Sequence, residues 1–205
     1  MCRLYFKMLC CIVLSFYVNQ SVNGQTKQPF TVSKSKEQYV FKSLDEALTN
    51  KDSVYILSLR KKKLKSFPEE IFQLKNLKEL DLSINKITEI PENIKELNNL
   101  EKLNLSRNKI KKLPEGIFYL VNLKELIINQ NDIAVLPKEI GNLKNLEVLD
   151  IYANELTEFP NELANLKKLK ILDLRVISIP DSIKEKISLL LPNTKIYFSQ
   201  NCNCK

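Results

Sequence analysis

The chain has 205 residues, of which 44% are apolar and 27% are charged, a composition typical of one globular domain or two small ones. It contains no His and only 3 Gly, which excludes Ser-His-Asp and Cys-His catalytic sets, histidine metal sites and glycine-rich phosphate loops. A net charge of +8 fits either an anionic partner or a soluble surface, so the positions of the charges have to decide between them.

The first 24 residues have the pattern of a secretion signal. Arg3 and Lys7 precede an uncharged apolar run over residues 8–18, and residues 22–24 (Val-Asn-Gly) are small or tolerated where a signal peptidase cleaves. We therefore predict a signal peptide over residues 1–24 and export of the mature chain. The run of about eleven apolar residues is too short for a transmembrane span, which needs roughly 20. An uncleaved N-terminal anchor is the alternative.

A lead-in and a cap are predicted before the main pattern. Residues 25–40 are rich in Ser, Lys, Gln and Thr and lack a periodic apolar pattern, which predicts a flexible segment. Residues 41–53 are predicted to form an N-terminal cap, in which Ser43-Leu-Asp-Glu46 fits a capping box that opens a short helix through Leu48. Residues 54–59 then supply the first strand.

Proline, leucine and asparagine recur at intervals of 23 residues along residues 54–191. The recurring positions are Pro68, Pro91, Pro114, Pro137 and Pro160; Leu57, Leu80, Leu103, Leu126 and Leu149; and Asn85, Asn108, Asn131 and Asn154. The pattern resembles the leucine-rich repeat, L-x-x-L-x-L-x-x-N-x-L. We predict five full repeats and one truncated repeat over residues 54–191.

The spacing within one unit predicts its local structure. Leu80 and Leu82 alternate with polar residues, which predicts a short strand with two leucines pointing inward. Apolar residues then recur at steps of three and four, which predicts a helical or 3₁₀ return segment. They are Ile87, Ile90, Ile94 and Leu97.

These units predict an α/β solenoid. It is a right-handed leucine-rich repeat superhelix with a parallel β-sheet on its concave face, a helical or 3₁₀ convex side, and short caps at both ends. Stacking encloses one aliphatic core, to which each fully buried side chain contributes roughly 1.5–3 kcal/mol. The asparagine column is assigned to a structural ladder, in which each side chain bonds the backbone of the neighbouring coil.

The C-terminal end departs from the repeat. Only five residues separate Leu174 from Pro180, which removes the asparagine turn from the last unit. A second capping box, Ser182-Ile-Lys-Glu185, predicts an amphipathic helix that ends near Leu191. Residues 192–205 are predicted to form a closing strand and a tail.

Two cysteines, Cys202 and Cys204, remain in the tail once the leader is removed. A Cys-x-Cys pair is a poor metal site because zinc takes four ligands and no His is available. We predict no metal, no cofactor and no catalytic residue, so the protein is not an enzyme. Free or oxidised thiols and an interchain disulfide are the alternatives for this pair.

From Phe41 to Phe198 the chain resembles the exported leucine-rich repeat proteins of pathogenic spirochaetes, the leptospiral type. The flanks at residues 41–50 and 189–198 carry this finer resemblance, because the repeat itself is shared with many unrelated proteins. The resemblance implies an exported, non-catalytic module whose concave face binds proteins, including host cell-surface or matrix molecules.

Solvent-facing strand positions fall in three columns across the units. The first is Ile56, Glu79, Lys102, Glu125, Val148 and Ile171; the second is Ser58, Asp81, Asn104, Ile127, Asp150 and Asp173; the third is Arg60, Ser83, Ser106, Asn129, Tyr152 and Arg175. Because the fold does not require a particular side chain there, apolar residues suggest function. The candidate protein-binding residues are Ile127, Asn129, Val148, Asp150, Tyr152, Ile171, Asp173 and Arg175.

Within that set, Ile127, Val148, Tyr152 and Ile171 are predicted to form one apolar patch with polar edges, which is typical of an interface hot spot. The alternative is ordinary cross-strand packing, because β-branched and aromatic residues favour strands.

The basic excess lies away from the concave face, which is nearly neutral. It clusters at residues 60–65, 109–112 and 167–170. Nucleic-acid binding is not predicted, because a basic groove with stacking aromatics is absent from the sequence pattern. Weak binding of a heparin-like polyanion or of anionic lipid is an alternative, but Glu69, Glu70, Glu92 and Glu115 lie nearby and favour a solvated surface.

The predicted partner is therefore a protein, a host receptor or matrix component. The predicted location is secreted or at the outer surface, with the periplasm as the alternative. An envelope scaffold without a host partner is the alternative function.

Overall fold

The computed structural model describes residues 39–199. The predicted signal peptide, residues 25–38 of the predicted lead-in, and both tail cysteines lie outside these residues. The lead-in was predicted to run to residue 40, but Val40 begins a strand that pairs with Ile56, so residues 54–59 do not hold the first strand. The described helices are α1 (Leu44–Thr49) and α2 (Asp181–Leu190). The described strands are β1 (Val40–Phe41), β2 (Ile56–Ser58), β3 (Glu79–Asp81), β4 (Lys102–Asn104), β5 (Glu125–Ile127), β6 (Val148–Asp150), β7 (Ile171–Leu174) and β8 (Lys195–Phe198). The described 3₁₀ segments are Lys51–Ser53, Glu69–Gln73, Glu92–Glu96, Glu115–Tyr119, Lys138–Asn142 and Asn161–Asn165.

The strands form one parallel sheet in chain order from β1 to β8. Leu57 pairs with Leu80 and Leu80 with Leu103, and the same register continues to Leu172 opposite Leu149. All of these leucines are buried in one continuous core. Parallel neighbours need a crossover connection, which the 3₁₀ segments supply. This architecture confirms the predicted parallel solenoid with 3₁₀ return segments.

A proline precedes each of the five longer 3₁₀ segments and holds φ between −75° and −68°. Its carbonyl accepts the N–H three residues on, as Pro91 does from Ile94 at 3.1 Å. Ile94 and its equivalents in the other four segments are fully buried. Each return segment therefore closes its coil in five residues with at least one aliphatic anchor in the core.

The asparagine column binds the backbone between coils. Nδ2 of the buried Asn131 donates to the carbonyls of Leu105 and Ile128, both at 3.0 Å, and Oδ1 accepts the N–H of Ile110 at 3.0 Å. The same three bonds recur at Asn85, Asn108 and Asn154. These side chains satisfy turn groups that would otherwise lack a partner in the core.

Both predicted capping boxes are wrong, although both helices are present. Ser43 stands at the start of α1 without a side-chain capping bond, and Glu46 accepts a hydrogen bond from the Tyr39 hydroxyl instead. At α2, Pro180 holds the capping position with φ −57°, so Ser182 lies inside the helix. The helix starts earlier than predicted because the Pro180 carbonyl accepts the N–H groups of Ile183 and Lys184, at 3.0 and 3.1 Å.

The chain turns sharply at the end of the strands from β2 to β7, at residues with positive φ between 51° and 60°. They are Lys61, Ile84, Arg107, Gln130, Ala153 and Val176. The β-branched Ile84 is held there against its steric preference by its N–H, which donates to the Ser106 carbonyl at 2.9 Å. Because all strands are parallel, residues 61–66, 84–89, 107–112, 130–135 and 153–158 follow at the same edge of the sheet, which we call the turn edge.

Candidate functional site

The solvent-facing side of the sheet, here called the open face, brings the predicted binding residues together. Asp150 pairs with Ile127 on one side and with Asp173 on the other, and Val148 pairs with Ile171. Tyr152 and Arg175 follow Asp150 and Asp173 by two residues along their chains. These side chains therefore occupy the C-terminal half of one surface.

The carboxylates of Asp150 and Asp173 lie in the middle column of the open face. Val148 and Ile171 lie on one side of them, and Tyr152 lies on the other. The register confirms the predicted columns, and Asp150 stands between Val148 and Tyr152 because alternate residues along a strand share a face. That the apolar residues act as one binding patch stays a prediction.

Four side chains of the middle column also shape the backbone. Their Oδ1 atoms accept the backbone N–H two residues on, at distances of 2.9 to 3.2 Å. They are Asp81, Asn104, Asp150 and Asp173. This Asx turn leads each strand into its sharp bend, so the expectation that these positions carry no fold requirement is wrong. Ile127 occupies the same column, and its side chain cannot make this bond.

An aromatic–arginine cluster, formed by Tyr152, Asp173, Arg175 and Tyr197, occupies the C-terminal part of the open face. Arg175 binds Asp173 through two nitrogens, with Nε to Oδ1 at 3.0 Å and Nη2 to Oδ2 at 2.6 Å. Its guanidinium lies 5.7 Å from the ring centre of Tyr152 and 5.5 Å from that of Tyr197. The bidentate bond and the two cation–π contacts fix the arginine.

Tyr197 and Lys195 belong to this surface although they were absent from the predicted site. On β8, Tyr197 pairs with Asp173 and Lys195 pairs with Ile171, and Lys195 Nζ lies 5.0 Å from the Tyr197 ring centre. Leu172 pairs with Ile196, a step of 24 residues, so the regular column misses this strand. The sequence signal for this strand is the run Lys195-Ile-Tyr-Phe198. Ile196 and Phe198 alternate with Lys195 and Tyr197, as Leu172 and Leu174 alternate with Ile171 and Asp173 in β7.

Asp150 is held at the centre of the site by Asn129 and by the N–H of Tyr152. Burial raises the pKa of the Asp150 carboxyl above its ordinary value of 3.8, and the nearby Asp173 adds to the rise, while the hydrogen bonds from Asn129 and Tyr152 oppose it. The native state therefore disfavours the ionised form of this group.

Replacing this carboxylate, Asp150→Asn, is expected to stabilise the protein at pH 7. Between pH 3.8 and the raised folded pKa, the native state binds more protons than the unfolded state, so wild-type stability falls as pH rises through this window. Asparagine keeps the acceptor for the turn, as Asn104 does in the same column. Urea unfolding at pH 4 and pH 7 measures the difference.

The matched control is Asn104→Asp, which places a new carboxylate opposite Asp81. We expect this variant to lose stability at pH 7 relative to pH 4. A less stable Asp150→Asn protein at pH 7 would contradict the assigned cause of the pKa shift.

The residues just before the strands form a second edge, called here the entry edge. It carries a charge ladder of alternating sign, formed by Lys78, Glu101, Lys124, Glu147 and Lys170. Glu101 bridges Lys78 at 3.3 Å and Lys124 at 2.5 Å, and Glu147 binds Lys170 at 2.5 Å. The hydrogen bond from Lys124 lowers the pKa of Glu101, and that from Lys170 lowers the pKa of Glu147.

A second set of asparagines strengthens this edge and was missed at the sequence level. Their Nδ2 atoms donate to carbonyls of the preceding coil at 2.8 to 2.9 Å. They are Asn76, Asn99, Asn122 and Asn145. Their spacing of 23 residues is visible in the sequence and is the signal that could have found them.

Residues 53–194 match a family model described as a leucine-rich repeat region. The chain belongs to the leucine-rich repeat family. This leucine-rich repeat protein finds no match among curated protein sequences.

Solved structures resemble it over most of its length. A leucine-rich repeat protein of Leptospira interrogans is 33% identical with a TM-score of 0.61, and the match covers 78% of this chain and 48% of that one. Internalin C2 of Listeria monocytogenes is 27% identical with a TM-score of 0.63, covering 74% and 64%. The receptor kinase ectodomain of Arabidopsis thaliana in complex with Casparian strip integrity factor 2 is 30% identical with a TM-score of 0.63, covering 78% and 20%.

This leucine-rich repeat protein therefore spans about half of the Leptospira protein and less than two thirds of the internalin. Its fold is that of protein-interaction modules such as internalins and receptor ectodomains, which are binding scaffolds. Within residues 39–199, no group of three or more Cys, Asp or Glu side chains is placed to hold a metal ion. No helix in that part of the chain is long and apolar enough to cross a membrane.

Proposed function

We propose that this leucine-rich repeat protein is an exported module that binds a protein partner on the C-terminal half of its open face. The observation that carries the proposal is the aromatic–arginine cluster, in which Asp173 holds the Arg175 guanidinium between the rings of Tyr152 and Tyr197. Tyr and Arg are enriched in interface hot spots, and side chains fixed before binding lose little entropy when a partner docks.

The apolar residues around the cluster support the same surface. Ile127 and Val148 are half-buried, and Ile171 is exposed, so a docking partner would remove their remaining apolar area from water. Ile127 is the most informative of them, since its neighbours in the column are Asx-turn residues and its own side chain has no such role. We assign the centre of the interface to Ile127, Tyr152 and Arg175.

The proposed partner is a host cell-surface receptor or an extracellular-matrix protein, and the proposed role is adhesion. The leader pattern of residues 1–24 and the similarity to the Leptospira protein and the internalin support this proposal. The leader pattern serves a periplasmic protein equally well, so an envelope scaffold without a host partner is the second candidate.

The test is a binding screen of the purified protein against matrix proteins and host receptor ectodomains. Tyr152→Ala and Ile127→Asp are each expected to lower the affinity for any partner found by about thirtyfold, as loss of a hot-spot side chain does. Tyr119→Ala and Val121→Asp are the matched controls, since both residues are exposed and lie at the end of a return segment. Surface plasmon resonance at two salt concentrations measures each affinity.

Equal binding by Tyr152→Ala, Ile127→Asp and the two controls would move the interface away from the open face. Protease treatment of intact cells separates the two candidate functions. A surface protein is degraded by added protease, whereas a periplasmic scaffold survives it.

A further inference from the structure

The turn edge is divided into a basic part and an acidic part. Residues 61–66, 84–89 and 107–112 contain four, one and four Lys or Arg residues, and a single acidic residue, Glu89. The next two segments, 130–135 and 153–158, contain no basic residue and three acidic ones. We call the first three segments the basic edge.

The cations of the basic edge are exposed and, within residues 39–199, none of the nine takes part in the observed salt bridges. The entry edge of the same coils differs, because Lys78 and Lys124 there bind Glu101. Neighbouring coils therefore pair their lysines in salt bridges on one edge of the sheet and leave them without a salt bridge on the other. Like charges gathered in this way repel one another unless an anion neutralises them.

Several glutamates of the return segments lie near the basic edge in sequence. The Glu92 carboxylate binds the N–H groups of Glu115 and Gly116, at 3.3 and 2.8 Å, so it is engaged in the next return segment. Glu69 and Glu70 begin the first return segment and share a shallow groove with Lys65 at one end of the basic edge. The remaining lysines lie beyond that groove.

Backbone hydrogen bonds set the cations in columns. The N–H of Lys86 donates to Leu64 at 2.7 Å and that of Lys109 to Ile87 at 2.9 Å, which places Lys63, Lys86 and Lys109 on successive coils. Parallel strands lie about 4.8 Å apart, so the column presents positive charge at short, regular intervals. It ends at Asp132, whose N–H makes the equivalent bond to Ile110 at 3.0 Å.

We propose that the basic edge binds a linear sulfated polysaccharide. This goes beyond the proposed function, because the edge is a different surface from the open face. A sulfated polymer needs only a repeated array of cations, whereas single-stranded nucleic acid also needs stacking aromatics and a membrane needs inserted apolar groups. The three segments have no exposed aromatic or large apolar side chain, and the nearest ring, Phe67, is buried against Phe72.

The test measures binding of heparin, used as the probe, to the purified protein. The triple variant Lys63→Gln, Lys86→Gln and Lys109→Gln removes one column of cations. We expect it to bind heparin about tenfold more weakly in 0.15 M salt, because that is the combined contribution of about three exposed ion pairs. Elution from immobilised heparin is expected at lower salt. Thermal stability should not fall, since all three side chains are exposed and their removal relieves repulsion within the basic edge.

The matched control is the triple variant Lys138→Gln, Lys144→Gln and Lys167→Gln, which removes the same charge from exposed lysines outside the basic edge. It is expected to elute close to wild type. Equal shifts for the two triple variants, or no retention of wild type on heparin in 0.15 M salt, would overturn the proposal. Tighter binding to phosphatidylserine vesicles or to a single-stranded oligonucleotide than to heparin would overturn the choice of polysaccharide.

Discussion

Asn131→Ala is expected to lower the free energy of unfolding by about 3 kcal/mol, because each buried polar group left without a partner costs about 1–3 kcal/mol. The side chain is only 6% exposed, donates to three backbone carbonyls and accepts one backbone N–H. Alanine removes all four bonds and leaves those backbone groups without this partner. Urea unfolding measures the loss.

The matched control is Asn122→Ala on the entry edge. Asn122 is exposed and makes one hydrogen bond, to the Asn98 carbonyl at 2.9 Å. Water can replace that bond, so the expected loss is below about 1 kcal/mol. Similar losses for the two variants would show that the buried asparagine is not what joins the coils.

Gly116→Ala is expected to destabilise the protein by about 3 kcal/mol, at the upper end of the cost of overpacking. A Cβ at this position would lie 2.1 Å from the Glu92 carbonyl oxygen and 3.0 Å from Ile94 Cγ2. The close atom belongs to the backbone of the adjacent return segment, so the two segments would have to separate. Thermal unfolding should show a fall of roughly 6–12 °C.

Asn93→Ala serves as the control for this glycine. Asn93 holds the equivalent position one coil earlier, is exposed, and already carries a Cβ. We expect its melting temperature to stay within about 2 °C of wild type. An equal fall for both variants would mean that the close approach at Gly116 is not required.

The sheet and the core were predictable because burial repeats with the sequence. The leucines from Leu57 to Leu149 recur at a constant interval. Each must be enclosed by the next coil, and this is possible only when the coils stack in register. Proline at the start of each return segment added a local signal of the same period. The predicted solenoid follows from these two patterns alone.

The site was harder to predict because the same residue type serves two purposes. In the sequence Asp150 resembles a polar contact for a partner, whereas in the structure its carboxylate accepts the backbone N–H of Tyr152 and shapes the turn. Tyr197 was not predicted to lie in the column because it pairs with Asp173 at a spacing of 24 residues, one more than in the regular repeats. The capping signal at Ser182 failed because Pro180 starts α2 two residues earlier.

Charge was the least readable property, since distance along the chain is a poor guide to pairing. Glu92 lies near several lysines in sequence, yet its carboxylate binds backbone N–H groups of the next coil. Lys78 and Glu101 are far apart in sequence and form a salt bridge at 3.3 Å. Only the stacked register shows which edge is neutral and which is basic.

The alternating signs of the charge ladder restrict how this protein can change in length. Lys78, Glu101 and Lys124 occupy successive coils, so the ladder repeats after two coils, although each coil is one unit. Loss of residues 101–123 would set Lys78 beside Lys124, and duplication of a single coil would likewise bring equal charges together. Gain or loss of coils in pairs keeps opposite charges on neighbouring coils of this edge, so a change of two repeats disturbs the ladder less than a change of one.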